Sequence, residues 1–349
     1  MRILYGVSGE GFGHSSRAKQ IIPFLLKKGH ELMIVTYGQA YQVLKNYLGI
    51  KILKVEGIEL FFEDKELSLK KTFDRGLKTI GKNIQDFKKI KEKVERFNPD
   101  VCISDMEPIV PIIRMAYGLP LICLDNQHRL THLKLNVPKK YIKDYLIARY
   151  AVSKVVSRAD FFIILSFVKG GINKNRAKVR IVSPVLRDEV LRLKSKRGEF
   201  ILVYLTKPNK DILKALRKTK ERFVIYVYGM NECKKEGNLE FKKIGGEFLK
   251  DLAGCKGIIA SAGFTLMSEA LYLKKPYFAI PLKGQFEQTL NALFLKKAGF
   301  GDYSEEPSEK EINLFLNSLE RYEMKLAKHK TKPNEVLKVL GKVLKKFSI

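Results

Sequence analysis

The sequence predicts an α/β fold with two doubly wound parallel sheets, one in each half of the chain. Short, unbroken apolar runs alternate with helical patterns from the first residue onward, which is typical of parallel strands covered by helices on both faces. A chain of 349 residues is long enough for about two domains, and 45% hydrophobic residues suffice for a core in each. A polar, charged stretch at residues 184–198 divides the apolar runs into two series, as an interdomain linker would.

The first series of apolar runs lies in residues 1–183, which we assign to a first Rossmann-like domain. Its strands are expected at residues 3–7, 32–35, 50–53, 101–103, 121–124, 161–165 and 179–182. An amphipathic helix that carries Ile21, Ile22 and Leu25 directly follows the first strand. This alternation predicts a parallel sheet whose strands are connected by helices.

The second series lies in residues 199–325 and predicts a second domain of the same class. Its strands are expected at residues 200–205, 223–227, 257–260 and 277–280. Residues 326–349 end in a helical pattern with one apolar face, and we expect this helix to pack back towards the first domain. Because open parallel sheets bind ligands beyond the carboxyl ends of their strands, we expect the two domains to face each other across a cleft.

The chain is strongly basic, with 66 Lys and Arg against 37 Asp and Glu and a formal net charge of +29. Such an excess attracts phosphorylated substrates, anionic lipid head groups or nucleic acid. Residues 129–158 interleave basic and apolar side chains, and residues 65–96 are similarly basic. This pattern predicts peripheral contact with an anionic membrane surface, and a plain solvated helix face is the alternative.

Cysteine usage and hydropathy predict where the protein works. The four cysteines, Cys102, Cys123, Cys233 and Cys255, form no CxxC pair, so we expect reduced core thiols. No apolar run has the length and the lack of charge that a membrane span or signal peptide needs. We therefore expect a cytoplasmic protein whose membrane contact, if present, is peripheral and at the inner face.

A glycine loop with Gly9, Gly11 and Gly13 follows the first strand and ends at His14. It differs from a dinucleotide site, because the spacing is not G-x-G-x-x-G and the second strand ends without a ribose-binding acid. A histidine at this turn can remove a proton near neutral pH if a carboxylate orients its other nitrogen. Asp105, just past the fourth strand, is the candidate carboxylate, and helix capping is the alternative role of both residues.

The loop after the fifth strand supplies further polar groups at the same edge of the sheet. Asn126, Gln127 and His128 follow that strand directly. We expect them, with Gly11 and Gly13, on the acceptor side of the site. His128 is also an alternative to His14 as the base, or a satisfied loop histidine.

The second domain carries the most informative pattern of the chain. After a strand comes a turn of small residues that leads into a helix; its members are Ser261, Ala262, Gly263, Phe264 and Thr265. Glu269 lies about one and a half turns into that helix. A helix N-terminus beside a small-residue turn favours a diphosphate, and a nearby carboxylate suits ribose hydroxyls.

With this turn, the spacing of later residues resembles the UDP-glycosyltransferase superfamily with the GT-B fold. That superfamily includes the lipid-linked N-acetylglucosaminyltransferase of peptidoglycan synthesis. The matching positions are Gly263, Glu269-Ala270, Pro276, Pro281, Glu287-Gln288 and Asn291-Ala292. The resemblance also takes in the loop that ends at His14 and residues 184–187, and so spans essentially the whole chain.

The resemblance implies a role for each of these residues. His14 would be the general base on the acceptor hydroxyl, with Asp105 behind it, and transfer would invert the anomeric carbon. The implied donor-binding residues are Ser261, Ala262, Gly263, Phe264 and Thr265 for the diphosphate, Glu269 for the ribose, and Glu287 and Gln288 for the sugar. Thr206, Phe248 and Asn291 complete the donor side, with Thr206 near the phosphates and Phe248 beside the base.

Departures from the family pattern leave the donor sugar open. The turn reads Ser-Ala-Gly where the family has His-Gly-Gly, and Glu287 stands where the family has Asp. A nucleotide-sugar epimerase of the same fold is one alternative function. A non-catalytic nucleic-acid-binding protein is another, although no recognised nucleic-acid module is evident.

We therefore expect a metal-independent hexosyltransferase without a cofactor. A helix N-terminus can stabilise the leaving diphosphate through fixed dipoles, and no paired-Asp metal motif is evident. Its expected partners are a nucleotide sugar, for which we expect a UDP-sugar, and a hydroxyl acceptor. The acceptor is lipid-linked if the membrane contact is real.

Overall fold

The computed structural model describes residues 1–57, 62–63, 66–67, 90–156, 158–173, 178–230 and 232–347. The chain divides into two compact units. Unit 1 comprises Met1–Arg187 and Lys332–Ile349, and unit 2 comprises Asp188–Thr331. The first division falls inside the stretch expected as a linker, where Asp188–Arg192 is a short helix.

Unit 1 is built on a seven-stranded sheet whose described strand pairs are all parallel. The strands are β1 (Arg2–Val7), β2 (Glu31–Thr36), β3 (Lys51–Lys54), β6 (Val101–Asp105), β7 (Leu121–Asp125), β8 (Phe161–Leu165) and β9 (Lys178–Val182). A separate two-stranded hairpin holds β4 (Phe62–Glu63) and β5 (Glu66–Leu67). The central strands β6, β7 and β8 are buried along their whole length, which confirms the prediction drawn from unbroken apolar runs.

The order of the first sheet is β3-β2-β1-β6-β7-β8-β9. The direction of winding therefore reverses between β1 and β6, and ligands of open α/β sheets bind at such a reversal. Helices on the two faces are α1 (Phe12–Lys27), α2 (Gly38–Leu44), α3 (Ile109–Tyr117), α4 (Arg129–His132) and α5 (Ile142–Val155). Residues 90–97 are also helical.

Unit 2 contains a second seven-stranded sheet of order β12-β13-β11-β10-β14-β15-β16. Its strands are β10 (Phe200–Leu205), β11 (Arg222–Val227), β12 (Lys234–Glu236), β13 (Leu239–Lys242), β14 (Gly257–Ser261), β15 (Tyr277–Ile280) and β16 (Gly301–Tyr303). Its helices are α6 (Asp188–Arg192), α7 (Lys210–Arg217), α8 (Glu247–Gly254), α9 (Phe264–Tyr272), α10 (Phe286–Ala298), α11 (Glu309–Leu316) and α12 (Leu319–Lys328). Winding reverses between β10 and β14, the counterpart of the reversal in unit 1.

The last helix, α13 (Glu335–Leu344), belongs to unit 1, where it packs against β8. Its Gly341 faces α1, since a Cβ at that position would lie 3.3 Å from the ring of Phe24. The Glu335 carboxylate accepts a hydrogen bond from the Ser183 backbone N–H at 3.0 Å. The prediction that the closing helix returns to the first domain is confirmed. Among all helices in the described ranges, none is long and apolar enough to cross a bilayer.

The cysteines follow the expectation in three of four cases. Cys102, Cys123 and Cys255 are buried, and burial raises the pKa of the Cys102 and Cys255 thiols to about 12. Cys233 is exposed, in contrast to the expected core position. It lies in the polar turn that precedes edge strand β12, where no apolar face covers it.

A buried carboxylate supports the loop that follows β6. Glu107 is fully buried and accepts hydrogen bonds at 2.9 Å from the backbone N–H groups of Ile109 and Val110, in the first turn of α3. Gly6 leaves it room, because a Cβ there would lie 2.7 Å from Glu107 Oε2. Burial raises the pKa of Glu107 from 4.5 to about 7 and outweighs both hydrogen bonds.

We expect Glu107 to make the protein less stable as the pH rises. The folded state binds the Glu107 proton more tightly than the unfolded state, so stability is lost as the pH rises from about 4.5 to about 7. Glu107→Gln removes this dependence. Between pH 5 and pH 8 the unfolding free energy of the wild type should therefore fall by about 2.5 kcal/mol more than that of the variant. Urea denaturation at the two pH values measures the shift. Glu92→Gln, at an exposed position, is the control; a pH-independent difference for Glu107→Gln would contradict the expectation.

Candidate functional site

The reversal in the first sheet brings the glycine loop and Asp105 to one place. Val7 at the end of β1 is the register partner of Asp105 at the end of β6. Gly11 has a φ of +68°, a conformation that favours glycine, and it directly precedes α1. His14 lies in the first turn of that helix, above the carboxyl ends of the two strands.

His14 and Asp105 form a hydrogen-bonded pair. His14 Nδ1 lies 2.7 Å from Asp105 Oδ1, and both residues are buried, His14 being the more accessible. A carboxylate oxygen only accepts, so Nδ1 carries the hydrogen and donates. The second ring nitrogen, Nε2, lies 3.4 Å from the amide nitrogen of Gln127, which donates to it. In this tautomer Nε2 is the nitrogen with a lone pair, and it can accept an acceptor proton once the long contact with Gln127 gives way.

Arg17, which the sequence did not single out, completes this group. Its Nε donates to Asp105 Oδ2 at 2.7 Å and its Nη2 donates to Asp105 Oδ1 at 2.6 Å, while Nη1 donates to Asn126 Oδ1 at 3.2 Å. Burial would raise the pKa of Asp105, but the charges of Arg17 and His14 and their hydrogen bonds outweigh it and hold that pKa below its ordinary value. The spacing from His14 to Arg17 puts both side chains on one helix face, which was the available signal.

His128 lies in a separate buried cluster. Its Nδ1 donates to Asp125 Oδ2 at 2.7 Å and its Nε2 donates to the Val156 carbonyl at 3.2 Å, and the residue is 1% exposed. With both ring nitrogens donating, the imidazole is positively charged: burial would lower the pKa of His128, but Asp125 outweighs burial and raises it. A buried imidazolium has no lone pair for an acceptor hydroxyl. The geometry therefore favours His14 over His128 as the base and places His128 away from an accessible acceptor surface.

The cluster around His128 also has the spacing of a metal site. The ligand atoms of Cys123, Asp125 and His128 lie within 4.8 Å of one another. They are already joined by hydrogen bonds, because the Cys123 thiol donates to Asp125 Oδ2 at 3.0 Å and His128 donates to the same oxygen. Asp125 Oδ1 accepts from the His128 backbone N–H at 2.8 Å. The cluster thus fixes the loop that carries Asn126 and Gln127 to the His14 pair.

In unit 2 the reversal of winding joins Thr206 and Ser261. Thr206 directly follows β10 and Ser261 ends β14, and their hydroxyl oxygens lie 3.5 Å apart. The Ser261 carbonyl accepts from the Tyr277 hydroxyl at 2.7 Å, which fixes the strand end. The two hydroxyls lie close to the N-terminus of α9, which is the arrangement of a phosphate-binding turn.

Gly263 directly precedes α9 and leaves open space beside that helix end. Its φ of −68° is one that any residue adopts, and a Cβ there would meet no atom within 4 Å. The fold therefore does not require glycine at this position. Phe264 and Thr265 form the first turn, in which no acidic side chain competes for the N–H groups.

Other predicted donor residues lie beneath this turn. Glu269 is 1% exposed, and Asn291 and Ala262 are fully buried. Asn291 Nδ2 donates to the Ala262 carbonyl at 2.8 Å, so Asn291 ties α10 to the turn. A ribose can reach Glu269 only if nucleotide binding uncovers its carboxylate.

Glu287 and Gln288 lie in the first turn of α10, beyond the end of β15. The side chain of Gln288 accepts from the Leu282 N–H at 3.1 Å and donates to Gln285 at 2.6 Å, and so closes the loop before α10. Phe248 lies in α8, where its ring meets Tyr204 and Tyr226 edge to face. The aromatic partners of Phe248 were not predicted, since contacts between distant strands leave no signal in local sequence.

Comparison with known proteins gives matches that span both units. A family model described as glycosyl transferase family 1 matches residues 1–320. An uncharacterized glycosyltransferase of Methanosarcina acetivorans is 24% identical over 333 residues, which cover 86% of this chain and 85% of that protein. A shorter match joins this chain to UDP-N-acetylglucosamine--N-acetylmuramyl-(pentapeptide) pyrophosphoryl-undecaprenol N-acetylglucosamine transferase 3 of Bacillus cereus. The two chains are 36% identical over 70 residues, which cover 19% of this chain and 20% of the other.

Solved structures share the fold at low sequence identity. UGT2 of Phytolacca americana, solved with UDP-2fluoro-glucose and pterostilbene, matches with a TM-score of 0.70 and 15% identity over 100% of both chains. MurG of Acinetobacter baumannii matches with a TM-score of 0.60 and 16% identity over 99% of each chain. These likenesses concern the fold, and the predicted GT-B fold is confirmed.

Proposed function

The chain belongs to glycosyl transferase family 1, and from this premise we propose that it is an inverting glycosyltransferase that moves a sugar from a UDP-sugar to a hydroxyl acceptor. The observation that carries the proposal is the 2.7 Å contact between His14 and Asp105 at the reversal of the first sheet. It combines a general base, an orienting carboxylate and the place where α/β sheets bind ligands.

The His14 pair suits removal of a proton from an acceptor. Nε2 takes the hydroxyl proton as the acceptor oxygen attacks the anomeric carbon, and the nucleoside diphosphate leaves from the opposite side. Asp105 accepts from Nδ1 before and after this transfer, so it holds the ring in one tautomer and stabilises the imidazolium that forms. A single displacement of this kind inverts the anomeric centre.

The leaving diphosphate is held in unit 2. The first N–H groups of α9, the Thr206 and Ser261 hydroxyls and the space beside Gly263 form the proposed phosphate site. These groups act through fixed dipoles, so we propose that no metal ion takes part. Glu269 is proposed to bind the ribose and Glu287 with Gln288 the sugar.

Filling the space beside Gly263 is expected to weaken donor binding without unfolding the protein. In Gly263→Ala the added methyl group meets no protein atom and needs no unusual φ, but it occupies the space proposed for the diphosphate. We expect UDP to bind at least about tenfold more weakly, as the loss of one or two phosphate hydrogen bonds implies. Isothermal titration calorimetry with UDP measures this, with GDP, dTDP and ADP as competing nucleotides.

Gly254→Ala is the matched control, because its Cβ would only touch the Phe200 ring at 3.9 Å. It should bind UDP like the wild type. Glu269→Ala tests the ribose contact in the same titration, and binding is expected to fall there too. If UDP binds Gly263→Ala as tightly as the wild type, the diphosphate lies elsewhere; if no nucleoside diphosphate binds wild type, the proposed function fails.

The acceptor is proposed to be lipid-linked and to be reached at an anionic membrane surface. Along α5, Ile142, Leu146 and Tyr150 are 43%, 54% and 65% exposed, and their four-residue spacing aligns them on one face. Exposed cations border this stripe, namely Lys139, Lys140, Lys143, Arg149 and Lys154. The other basic segment, residues 65–96, lies mostly outside the described residues. A local match to a transferase named for an undecaprenol substrate adds support.

We expect the protein to co-sediment with vesicles of phosphatidylglycerol and phosphatidylcholine, but not with phosphatidylcholine alone. Salt should weaken the binding, since exposed charges are screened. Leu146→Ser should bind about tenfold more weakly, because burial of a leucine side chain is worth roughly 1.5–3 kcal/mol. Leu314→Ser, at a leucine that is 58% exposed in unit 2, is the control. Equal loss in both variants, or salt-insensitive sedimentation, would contradict a specific role of α5.

A further inference from the structure

Arg17 contacts the carboxylate on which His14 depends. Its guanidinium binds both oxygens of Asp105, and its Nη2 shares Oδ1 with His14 Nδ1. Arg17 and Asp105 are both buried, so water does not screen this contact. Nη2 also lies 3.1 Å from His14 Nδ1, which places a permanent positive charge beside the imidazole.

The charges of this group are set by few residues. Within the described residues, the titratable groups that bear most on the pair are Tyr5 on β1, Arg17 on α1, and Asp125 and Cys123 on β7. Burial raises the pKa of Tyr5 and of Cys123, so both are uncharged near neutral pH. Asp125 is matched by the His128 imidazolium 2.7 Å away. Arg17 is therefore the charge that balances Asp105.

This balance acts on His14 through the shared Asp105 carboxylate. A buried carboxylate without a counter-charge attracts a proton to the imidazole beside it, and an imidazolium is no base. With Arg17 in place, the charge of Asp105 is balanced and the carboxylate still accepts the Nδ1 hydrogen, so the ring is oriented through Nδ1. Lysine would supply the charge without the two-point contact.

We propose that Arg17 is a positioning residue that keeps His14 unprotonated at Nε2 by neutralising Asp105 while it fixes that carboxylate and Asn126 in place. The inference deepens the proposed function, because it assigns the residue that keeps the base in its active state. The role of Arg17 is carried by contacts with Asp105 and Asn126.

The test is a pH titration of the histidine ring nitrogens by 15N NMR, which needs no sugar. The chain has five histidines, and the His14 signals are those absent from His14→Gln. In Arg17→Met, His14 is expected to bind its proton at least about tenfold more tightly than in the wild type. Arg17→Lys, which keeps the charge, should restore most of the wild-type curve. Equal His14 titration in Arg17→Met and wild type would overturn the proposal, as would an imidazolium at neutral pH in the wild type.

If Arg17→Met fails to fold, Arg17→Gln carries the same expectation, because its amide still donates to Asp105 without a charge. A merely structural role would lower the urea midpoint of these variants and leave the His14 titration unmoved. The pH dependence of UDP release from the UDP-sugar that the wild type turns over is the second readout, where the acidic limb should move to higher pH in Arg17→Met. Failure of the proposed function appears separately, as a wild type that neither binds UDP nor releases it while the NMR shift persists.

Discussion

Replacing His14 with glutamine is expected to lower the rate of sugar transfer about a thousandfold, within the range that a general base contributes. Glutamine can still donate to Asp105, so the hydrogen-bonded group around Arg17 is retained, but it cannot take up the acceptor proton. UDP affinity should not change, because the residues proposed to bind UDP are in unit 2. UDP release by the wild type is first measured with UDP-glucose, UDP-galactose and UDP-N-acetylglucosamine. The variant is then assayed with the UDP-sugar that the wild type turns over, with and without EDTA.

His30→Gln is the matched control for this change. His30 lies in unit 1 between α1 and β2, outside the His14 group, and burial, with the charges of the N-terminus and Lys28, lowers its pKa. Its variant should keep the wild-type rate. A His14→Gln variant that retains most of the activity would show that another group removes the proton, and loss of UDP binding in the same variant would show that the change has spread beyond unit 1.

Asp125→Ala is expected to destabilise the protein by about 3–5 kcal/mol, because it leaves a buried positive charge without its partner. The Asp125 carboxylate accepts from the Cys123 thiol and from the ring and backbone nitrogens of His128. Removing this carboxylate leaves these donors without their acceptor in a part of unit 1 that water does not reach. Urea denaturation monitored by circular dichroism measures the loss as a lower midpoint at unchanged slope.

Two comparisons show whether the ion pair is the cause. Lys91→Ala breaks the exposed Lys91–Glu95 pair, whose charged atoms are 3.7 Å apart, keeps the Tyr117–Glu95 hydrogen bond, and should cost less than about 1 kcal/mol. The double variant with Asp125→Ala and His128→Leu should lose less stability than the two single variants lose together, because leucine at 128 removes the unpaired positive charge. Additive losses would mean that His128 is not charged in the folded state.

Much of the fold could be predicted from the sequence because the central strands are unbroken apolar runs. β8, β10 and β15 begin and end where expected, and the others differ by one or two residues. The strands that were missed are short and lie at or near an edge of their sheets, as β12 with Lys234 and Lys235 does. Half-exposed strands lack the apolar run that marks a buried one.

The His14–Asp105 pair could be predicted because both residues follow strands whose carboxyl ends meet. Arg17 shares a helix face with His14, but its burial and that of Glu107 could not be predicted, since arginine and glutamate side chains mostly face solvent. The same holds for Glu269, whose place in the donor motif is clear from spacing while its 1% exposure is not. Packing between distant segments decides these positions, and local sequence does not record it.

The return of α13 to unit 1 has a consequence for protein synthesis. Strands β1 to β9 of unit 1 are translated before unit 2, yet Val336, Leu340, Val343 and Leu344, which bury the apolar face of α13, are made only after all of unit 2. Domains usually fold in the order in which they are translated. Here the part of β8 that α13 covers is without that helix until unit 2 has been translated, so unit 2 can complete its sheet before unit 1 is fully packed.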